Sequence, residues 1–279
     1  IEVVSAQLED GTTGDCFQIT FQGDGVDGNE GPYCPETISD IGGLAIYDGD
    51  TNPGLRNIAV GLLNDMEADG WDIVDENGNV NVDDFSSVAN MNVSNCLAAP
   101  YDPTLTFIYL IPVTPKLASS NNPIGEIENI GLSLDGTPLT GDPPSAVDGP
   151  EMFGGNNSGQ ISFPSLDPCG GHPDPAGYYH AHFIPQVMDQ ILDANNITTV
   201  ECTLFDQTTS VELVGFAKDG YPIYAYAEMP TDLDECQGRT AATNEYQDGV
   251  YHYVASLIEA PNMPPCLKGV AAQNSFRFQ

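Results

Sequence analysis

Apolar and polar residues alternate along much of this chain, and the alternation predicts β-strands. Residues 16–21 alternate with the two-residue period of a strand. Residues 104–111 form the strongest strand pattern, which Pro112 and Pro115 bring to an end. Further strands are predicted at 130–134, 211–217, 223–226 and 251–256.

Two segments have helical spacing instead. Between residues 55 and 69 apolar side chains recur every three or four positions until Gly70, which predicts a helix. A second, shorter helix is predicted at 184–195, behind Pro185. The segment 119–177 is dense in Gly, Pro, Asn and Asp, which predicts short strands joined by long ordered loops.

These patterns predict a mostly β fold. We expect a single β-rich domain over 1–279, sandwich- or barrel-like, with two or three short helices and long ordered loops. A chain of this length can bury a substantial core, and neither a low-complexity linker nor an internal repeat of fixed period divides it. No stretch approaches the ~18 consecutive apolar residues that predict a membrane span.

The net charge is extreme. Six Lys and Arg residues face 41 Asp and Glu residues, for a net charge of −35. Such a surface repels nucleic acid and anionic lipid, so we expect no nucleic-acid partner and no anionic membrane partner. High ionic strength or bound divalent cations relieve the repulsion, which makes calcium a candidate ligand. Self-association and partners on a cell surface or in a matrix stay open.

Seven widely spaced cysteines without a Cys-x-x-Cys motif predict disulfides in an oxidising compartment. Cys169 with Cys202 and Cys236 with Cys266 are the predicted local bridges. The other three cysteines then provide one more bridge and one unpaired thiol. We expect a secreted, periplasmic or cell-surface protein whose signal peptide has already been removed, because no basic segment precedes the first residues.

All four histidines lie in aromatic, Gly-rich or Pro-rich surroundings. His180 and His182 are two residues apart, so on a strand they point to the same face. Together with His172 and His252 they form a candidate site for copper or zinc. Additional ligands or groups that orient an imidazole are Asp174, Asp219, Asp234 and Glu235. The alternative is a metal-free, hydrogen-bonded lattice of Tyr and His in a β core.

Three sequence blocks, at 167–182, 215–224 and 232–269, follow one another in an order and spacing that resemble the YHYH family. The first block reads Tyr-His-Ala-His at 179–182, with Ala181 in place of the second Tyr of the family's name. The third reads Tyr-His-Tyr-Val at 251–254. The resemblance covers a core of about 125–270, with 1–120 as an N-terminal part packed on it. It implies an exported protein and no established reaction.

Two further groups of residues have chemical interest. Lys218 and Arg239 are rare cations in an acidic chain, so each is expected to bind an anion or to form a structural ion pair. The acidic segment 65–84 favours a solvated acidic hairpin, and a flawed match to the loop of an EF-hand is the alternative. Its candidate calcium ligands are Asp65, Asp69, Asp75, Asn77 and Asp84.

These observations favour an exported, acidic, metal-binding protein of the YHYH family. One alternative is a structural protein of a cell surface, matrix or filament, in which the His and Tyr blocks only pack the core. A second alternative is a metal-dependent hydrolase or oxidase. No Gly-x-Ser-x-Gly motif occurs, and the sequence identifies no catalytic residue.

Overall fold

The computed structural model describes residues 1–22, 31, 33–83, 95–125, 128–143 and 162–279. Two α-helices lie in these ranges, α1 (Val60–Ala68) and α2 (Met188–Ala194), the second preceded by a 3-10 turn at Pro185–Val187. The strands, in chain order, are β1 (Glu2–Gln7), β2 (Thr13–Gln22), β3 (Leu44–Tyr47), β4 (Gly54–Asn57), β5 (Val82–Asp83), β6 (Cys96–Leu97), β7 (Thr106–Pro112), β8 (Leu117–Pro123), β9 (Asn129–Ser133), β10 (Pro138–Thr140), β11 (Phe163–Pro164), β12 (Gly171–Pro173), β13 (Tyr179–Ala181), β14 (Val211–Ala217), β15 (Pro222–Tyr226), β16 (Gly238–Ala241), β17 (Val250–Val254), β18 (Cys266–Gly269) and β19 (Phe276–Phe278).

The predicted β-rich class is confirmed, and the sheets of the described residues do not close into a barrel. The predicted strands are β2, β7, β9, β14, β15 and β17. The first predicted helix begins later than expected, because residues 54–57 pair with β3 as strand β4. No helix of the described residues is long and apolar enough to cross a membrane.

The largest sheet has eight strands in the order β12-β13-β10-β9-β14-β15-β17-β16. Its centre is the antiparallel pair β9–β14. On one side, β10 pairs antiparallel with β9, β13 pairs parallel with β10, and β12 is an antiparallel edge strand. On the other side, β15, β17 and β16 repeat these three pairings in the same order. The sheet is therefore internally repetitive, which the sequence pattern did not predict. The corresponding segments lie at unequal spacings along the chain, so no fixed period marks them.

Both helices cover apolar surface of the sheets. Leu62, Leu63 and Met66 of α1 are at most 1% exposed and pack with Trp71 and Phe163. Met188, Ile191 and Leu192 of α2 pack against Phe183, directly after β13. Full burial of one such side chain stabilises the fold by ~1.5–3 kcal/mol. Helix α2 thereby supports the segment of β13 and the residues just after it, which contain His180 and His182.

A second sheet, β1-β2-β7-β19, packs on the middle of the large sheet. Tyr109 and Ile111 of β7 contact Leu132 of β9, and Phe216 of β14 packs against the same cluster. Strand β19, close to the C-terminus, pairs with β7 in this N-terminal sheet. The two ends of the described chain are thus joined in one sheet.

Candidate metal centre

A hairpin brings three of the four histidines together. Strands β12 and β13 are antiparallel, and His172 lies directly opposite His180. His182 follows β13, two residues after His180, and its backbone N–H donates to the carbonyl of Gly170 at 2.9 Å. The predicted common face of His180 and His182 is therefore present, and the hairpin partner adds His172.

A buried carboxylate fixes the chain in front of His172. Oδ1 of Asp167 accepts the backbone N–H groups of Cys169 at 2.7 Å and Gly171 at 3.1 Å. Its Oδ2 accepts the hydroxyl of Tyr179 at 2.5 Å. Residue 171 has to be glycine, since a Cβ there would lie 2.1 Å from the Tyr179 hydroxyl oxygen. These bonds hold the two strands of the hairpin at a fixed distance.

The Nε2 atoms of the three imidazoles converge on one point. Nε2 of His182 lies 3.1 Å from that of His172 and 3.0 Å from that of His180. One ligand atom from each histidine lies within 4.8 Å of the others. Nitrogen ligands of a tetrahedral Zn²⁺ at ~2.0–2.1 Å are separated by ~3.3 Å, so the spacing is close to that of a metal site.

The hydrogen bond of His182 shows which nitrogen faces that point. Nδ1 of His182 contacts the carbonyl oxygen of Gly141, which can only accept, so Nδ1 carries the proton. Nε2 of His182 therefore has a free lone pair. N–H groups of His172 and His180 cannot both share that single in-plane lone pair with good geometry. A cation bound by three lone pairs resolves this arrangement.

Burial keeps the three imidazoles neutral. The residues His172, His180 and His182 are 4%, 2% and 0% exposed. Burial lowers the pKa of His172 and of His180 well below the usual value. It lowers the pKa of His182 to about 4. Neutral imidazole is the form that binds metals, so the site is ready for a metal at neutral pH.

Aromatic packing surrounds the cluster. The ring of Tyr178 lies 5.3 Å from that of His180, and Tyr178 also packs on Phe107, Phe276 and Phe278. Nδ1 of His180 is buried and has no hydrogen-bond partner among the described residues. The rings thus lie in an apolar shell with one polar atom left over.

The fourth histidine lies elsewhere, which corrects the proposed four-histidine set. His252 is on β17, separated from β13 by four intervening strands of the same sheet, on the order of 20 Å at normal strand spacing. Its Nε2 accepts the hydroxyl of Tyr226 at 2.8 Å, and its Nδ1 donates to the carbonyl of Val250 at 3.0 Å. Both ring nitrogens are therefore used within the protein.

The acidic residues proposed as further ligands also lie outside the cluster. Asp219 accepts the hydroxyl of Tyr253 at 2.6 Å and the N–H of Gly269 at 2.8 Å, and burial raises its pKa. Asp234 accepts two backbone N–H groups, and Glu235 binds Lys268 at 2.9 Å. Asp174 accepts the N–H of Ala176 at 2.6 Å. The group at metal distance contains only the three histidines among the described residues.

The acidic hairpin that the sequence favoured over an EF-hand-like loop is present, since Val74 and Val80 form an antiparallel bridge across a turn at 75–79, and Asp65 lies within helix α1. Asp65 binds Arg56 at 2.9 Å. Asp69 accepts bonds from Tyr47 and Thr51. Asp75 accepts the backbone N–H groups of Asn77 and Asn79 at 2.8 Å each. Asp84 lies outside the described residues. The described carboxylates of this segment are held by protein donors, and calcium stays a prediction.

The two cations singled out in the sequence form ion pairs. Lys218 binds Glu128, and Arg239 lies 3.1 Å from Asp232.

The predicted disulfides Cys169–Cys202 and Cys236–Cys266 are both present. Three disulfides indicate an oxidising environment. The third bridge joins Cys34 to Cys96, and Cys16 is a buried free thiol.

Sequence reasoning missed the residues that hold the cluster in place, namely Asp167, Tyr179 and Gly141. One signal was available. The pattern Asp-x-Cys-x-Gly occurs twice, at 167–171 and 234–238, each time ahead of a Tyr-His pair. The carbonyl of Gly141 could not be found in this way, because a backbone acceptor has no side-chain signature.

The chain is similar to one family of known proteins. The family model described as YHYH protein matches residues 108–230 and 225–269, which together span more than half of the 279 residues. The matched part contains the three histidines, Gly141 and Asp167. No curated protein and no solved structure matches the chain.

Proposed function

Because this chain belongs to the YHYH protein family, we propose that it is an exported metal-binding protein whose β12–β13 hairpin holds one transition-metal ion between His172, His180 and His182. The observation that carries the proposal is the convergence of three Nε2 atoms at 3.0–3.1 Å around His182, whose own proton lies on Nδ1. Zn²⁺ and Cu²⁺ are the metals that imidazole ligands suit best.

Two features support metal binding over a metal-free lattice. A metal-free cluster of neutral imidazoles would leave at least one lone pair facing another nitrogen in a buried space. The contact between Tyr226 and His252, on the other flank of the same sheet, shows the metal-free solution, in which a hydroxyl donates to the imidazole acceptor. No hydroxyl of the described residues donates to His172, His180 or His182 at hydrogen-bond distance.

The disulfides and the acidic surface support export. Three bridges need an oxidising compartment in which to form, and a net charge of −35 suits a saline extracellular setting. Secretion, a periplasmic position and attachment at a cell surface all meet this condition. The protein would then meet its metal outside the cytoplasm.

Metal content of the purified protein tests the proposal. The metal-stripped chain is titrated with Zn²⁺ and with Cu²⁺, and bound metal is measured by calorimetry and by elemental analysis. We expect one ion per chain in the wild type, none in His180→Ala, and one in the matched control His252→Ala. The proposal fails if the wild type binds no ion or if His180→Ala retains it.

A metal-dependent hydrolase or oxidase is the second candidate, favoured by the number of ligands. Three histidines with a fourth position for water are typical of catalytic zinc sites. Exogenous azide added to the Cu²⁺- or Co²⁺-loaded protein reports on that position through the visible spectrum. A spectral change at saturating azide would support an open site, and an unchanged spectrum would leave the binding protein as the assignment.

A further inference from the structure

The eight-stranded sheet is built from two copies of one four-stranded unit. The first unit is β9, β10, β12 and β13, and the second is β14, β15, β16 and β17. At the centre, Leu132 pairs with Phe216, Gly131 with Ala217 and Ser133 with Gly215. Exchanging the two units converts this set of pairs into itself, so a local two-fold axis passes through the Leu132–Phe216 pair.

The first hairpins of the two units agree residue by residue. Both turn through Asp-Gly, with glycine φ values of +97° at Gly136 and +90° at Gly220. In both hairpins the pairing passes over one residue of the first strand, residue 130 in β9 and residue 214 in β14. The equivalent pairs are Pro138–Leu132 with Pro222–Phe216, Leu139–Gly131 with Ile223–Gly215, and Thr140–Asn129 with Tyr224–Leu213.

The β12–β13 hairpin that holds the three histidines is called the metal hairpin here, and the hydrogen bonds of Asp167 to the residues around it are called its frame. This frame is also repeated in the second unit. Asp234 Oδ1 accepts the N–H groups of Cys236 at 2.9 Å and Gly238 at 3.0 Å, as Asp167 does for Cys169 and Gly171. The hydroxyl of Tyr251 donates to Asp234 as that of Tyr179 does to Asp167. A Cβ at Gly238 would lie 1.9 Å from the Tyr251 hydroxyl oxygen. Each frame cysteine is bridged to a cysteine further along the chain, with Cα atoms 4.8 Å apart in both cases.

This correspondence identifies the counterparts of the three metal ligands. His172 pairs with His180 on β12 and β13, and Arg239 pairs with His252 on β16 and β17. His182 donates its N–H to the carbonyl of Gly170, and Val254 donates to that of Gln237, both at 2.9 Å. His172, His180 and His182 thus correspond to Arg239, His252 and Val254.

We propose that the two units derive from the duplication of one metal-binding unit, and that the second unit is a latent transition-metal site in which the hydroxyl of Tyr226 takes the place of the metal. This inference rests on the proposed function of the first unit. Nε2 of His252, the counterpart of the Nε2 that faces the metal point in His180, accepts the Tyr226 hydroxyl at 2.8 Å. Gly141 donates its N–H to the carbonyl of Glu128, and Ala225 pairs with Glu212 at the same place in the second unit, so Gly141 and Ala225 are equivalent. The residues that follow them, Asp142 and Tyr226, are therefore equivalent as well.

Three residue differences therefore separate the two sites. Arginine replaces one imidazole, valine replaces another, and a tyrosine ring fills the space between them. Val254 and Tyr226 belong to one apolar cluster with Tyr224, and the ring of Tyr226 stacks on His252 with an interplanar angle of 7°. In the second site, Arg239 and Val254 take the places of His172 and His182, and His252 is hydrogen-bonded to Tyr226. One histidine therefore remains there in place of three.

Exchange of the three counterparts tests the proposal. Arg239→His, Val254→His and Tyr226→Asp are combined in the His180→Ala background, and Zn²⁺ per folded chain is measured. We expect no ion in His180→Ala, one ion in the combined variant, and none when His252→Ala is added to it. A folded combined variant that binds no Zn²⁺ overturns the proposal. If the wild type binds no ion, the proposed function itself fails; if the wild type binds one ion and the folded combined variant binds none, only this inference fails.

The reverse exchange keeps the proposal testable if that variant does not fold. His172→Arg and His182→Val are made with and without Asp142→Tyr. The added tyrosine should supply the hydroxyl that His180 Nε2 lacks, so the three-residue variant should melt at a higher temperature than the two-residue variant. An added Asp142→Phe should give no such increase. Equal melting temperatures for the tyrosine and phenylalanine variants would contradict the equivalence of the two units.

Discussion

His182 donates its Nδ1 proton to the carbonyl oxygen of Gly141, and this bond leaves the Nε2 lone pair facing the other two imidazoles. The donor and the acceptor come from different parts of the sheet, since Gly141 follows β10 and His182 follows β13, its parallel neighbour. The orientation of a metal ligand is thus set by the pairing of two strands. An outer partner of this kind fixes the tautomer of a metal-bound histidine.

Removal of the metal should destabilise the wild-type protein. An ion that binds only the folded state stabilises it by about 2.7 kcal/mol at a hundredfold excess over Kd. We expect a chelator to lower the melting temperature of the wild type, and Zn²⁺ to restore it. His180→Ala is the control and should melt at the same temperature with and without chelator. An equal effect of the chelator on both proteins would place the stabilising ion elsewhere.

Asp167 should make stability fall as the pH rises from about 4 to about 6. Burial raises the pKa of Asp167 from 3.8 to about 6. Between these values the folded protein holds a proton that the unfolded chain has lost, so stability decreases with rising pH, by on the order of 3 kcal/mol in total. Asp167→Asn mimics the protonated form. Its melting temperature relative to the wild type should therefore rise between pH 4 and pH 7.

Asp234→Asn is the matched control for this effect. Asp234 makes hydrogen bonds that correspond to those of Asp167, but its side chain is 28% exposed and lies 3.3 Å from Lys268. Metal-free proteins are compared at constant ionic strength, by thermal melts at each pH. The Asp234→Asn variant should keep the pH slope that Asp167 produces. A slope that persists in Asp167→Asn would show that another group titrates in this range.

The two related disulfides should differ in their effect on metal binding. Each closes a loop of 33 or 30 residues, so removing either should cost about 4 kcal/mol of stability. Cys169 lies within the Asp167 frame of the metal hairpin, whereas Cys236 lies within the counterpart frame. We expect Cys169→Ser with Cys202→Ser to weaken Zn²⁺ binding as well. Cys236→Ser with Cys266→Ser should lower only the melting temperature, and equal losses of affinity would contradict this assignment.

The sequence predicted six of the strands, both helices and the common face of His180 and His182, because these depend on local periodicity. It grouped His252 with them wrongly, because position in a sheet depends on strand order, which alternation does not encode. Asp65, a candidate calcium ligand, lies within helix α1, where the apolar spacing of Leu62, Leu63 and Met66 places it, and calcium binding there stays a prediction. The repeat was missed because the insertions between its corresponding segments differ in length.

Salt should stabilise the protein by screening its own charge. The net charge is −35, and acidic residues gather in places, as at Tyr47, where burial and the nearby carboxylates of Asp69, Asp48 and Asp65 raise the pKa of the hydroxyl. The screening length falls from ~10 Å at 0.1 M salt to ~3 Å at 1 M, so repulsion between neighbouring carboxylates weakens over this range. We expect the melting temperature of His180→Ala, which lacks the transition-metal site, to rise with NaCl.

Calcium should add to this effect if the acidic surface binds it. Each Ca²⁺ that binds the folded state removes two units of negative charge and stabilises by mass action. Melting temperatures of His180→Ala are therefore compared in CaCl₂ and MgCl₂ at the same ionic strength, because the two ions carry equal charge and screen equally. We expect a higher melting temperature in millimolar CaCl₂, since carboxylate clusters without rigid octahedral geometry favour Ca²⁺. Identical curves in the two salts would mean that the acidic surface binds no calcium and that its charge is relieved by screening alone.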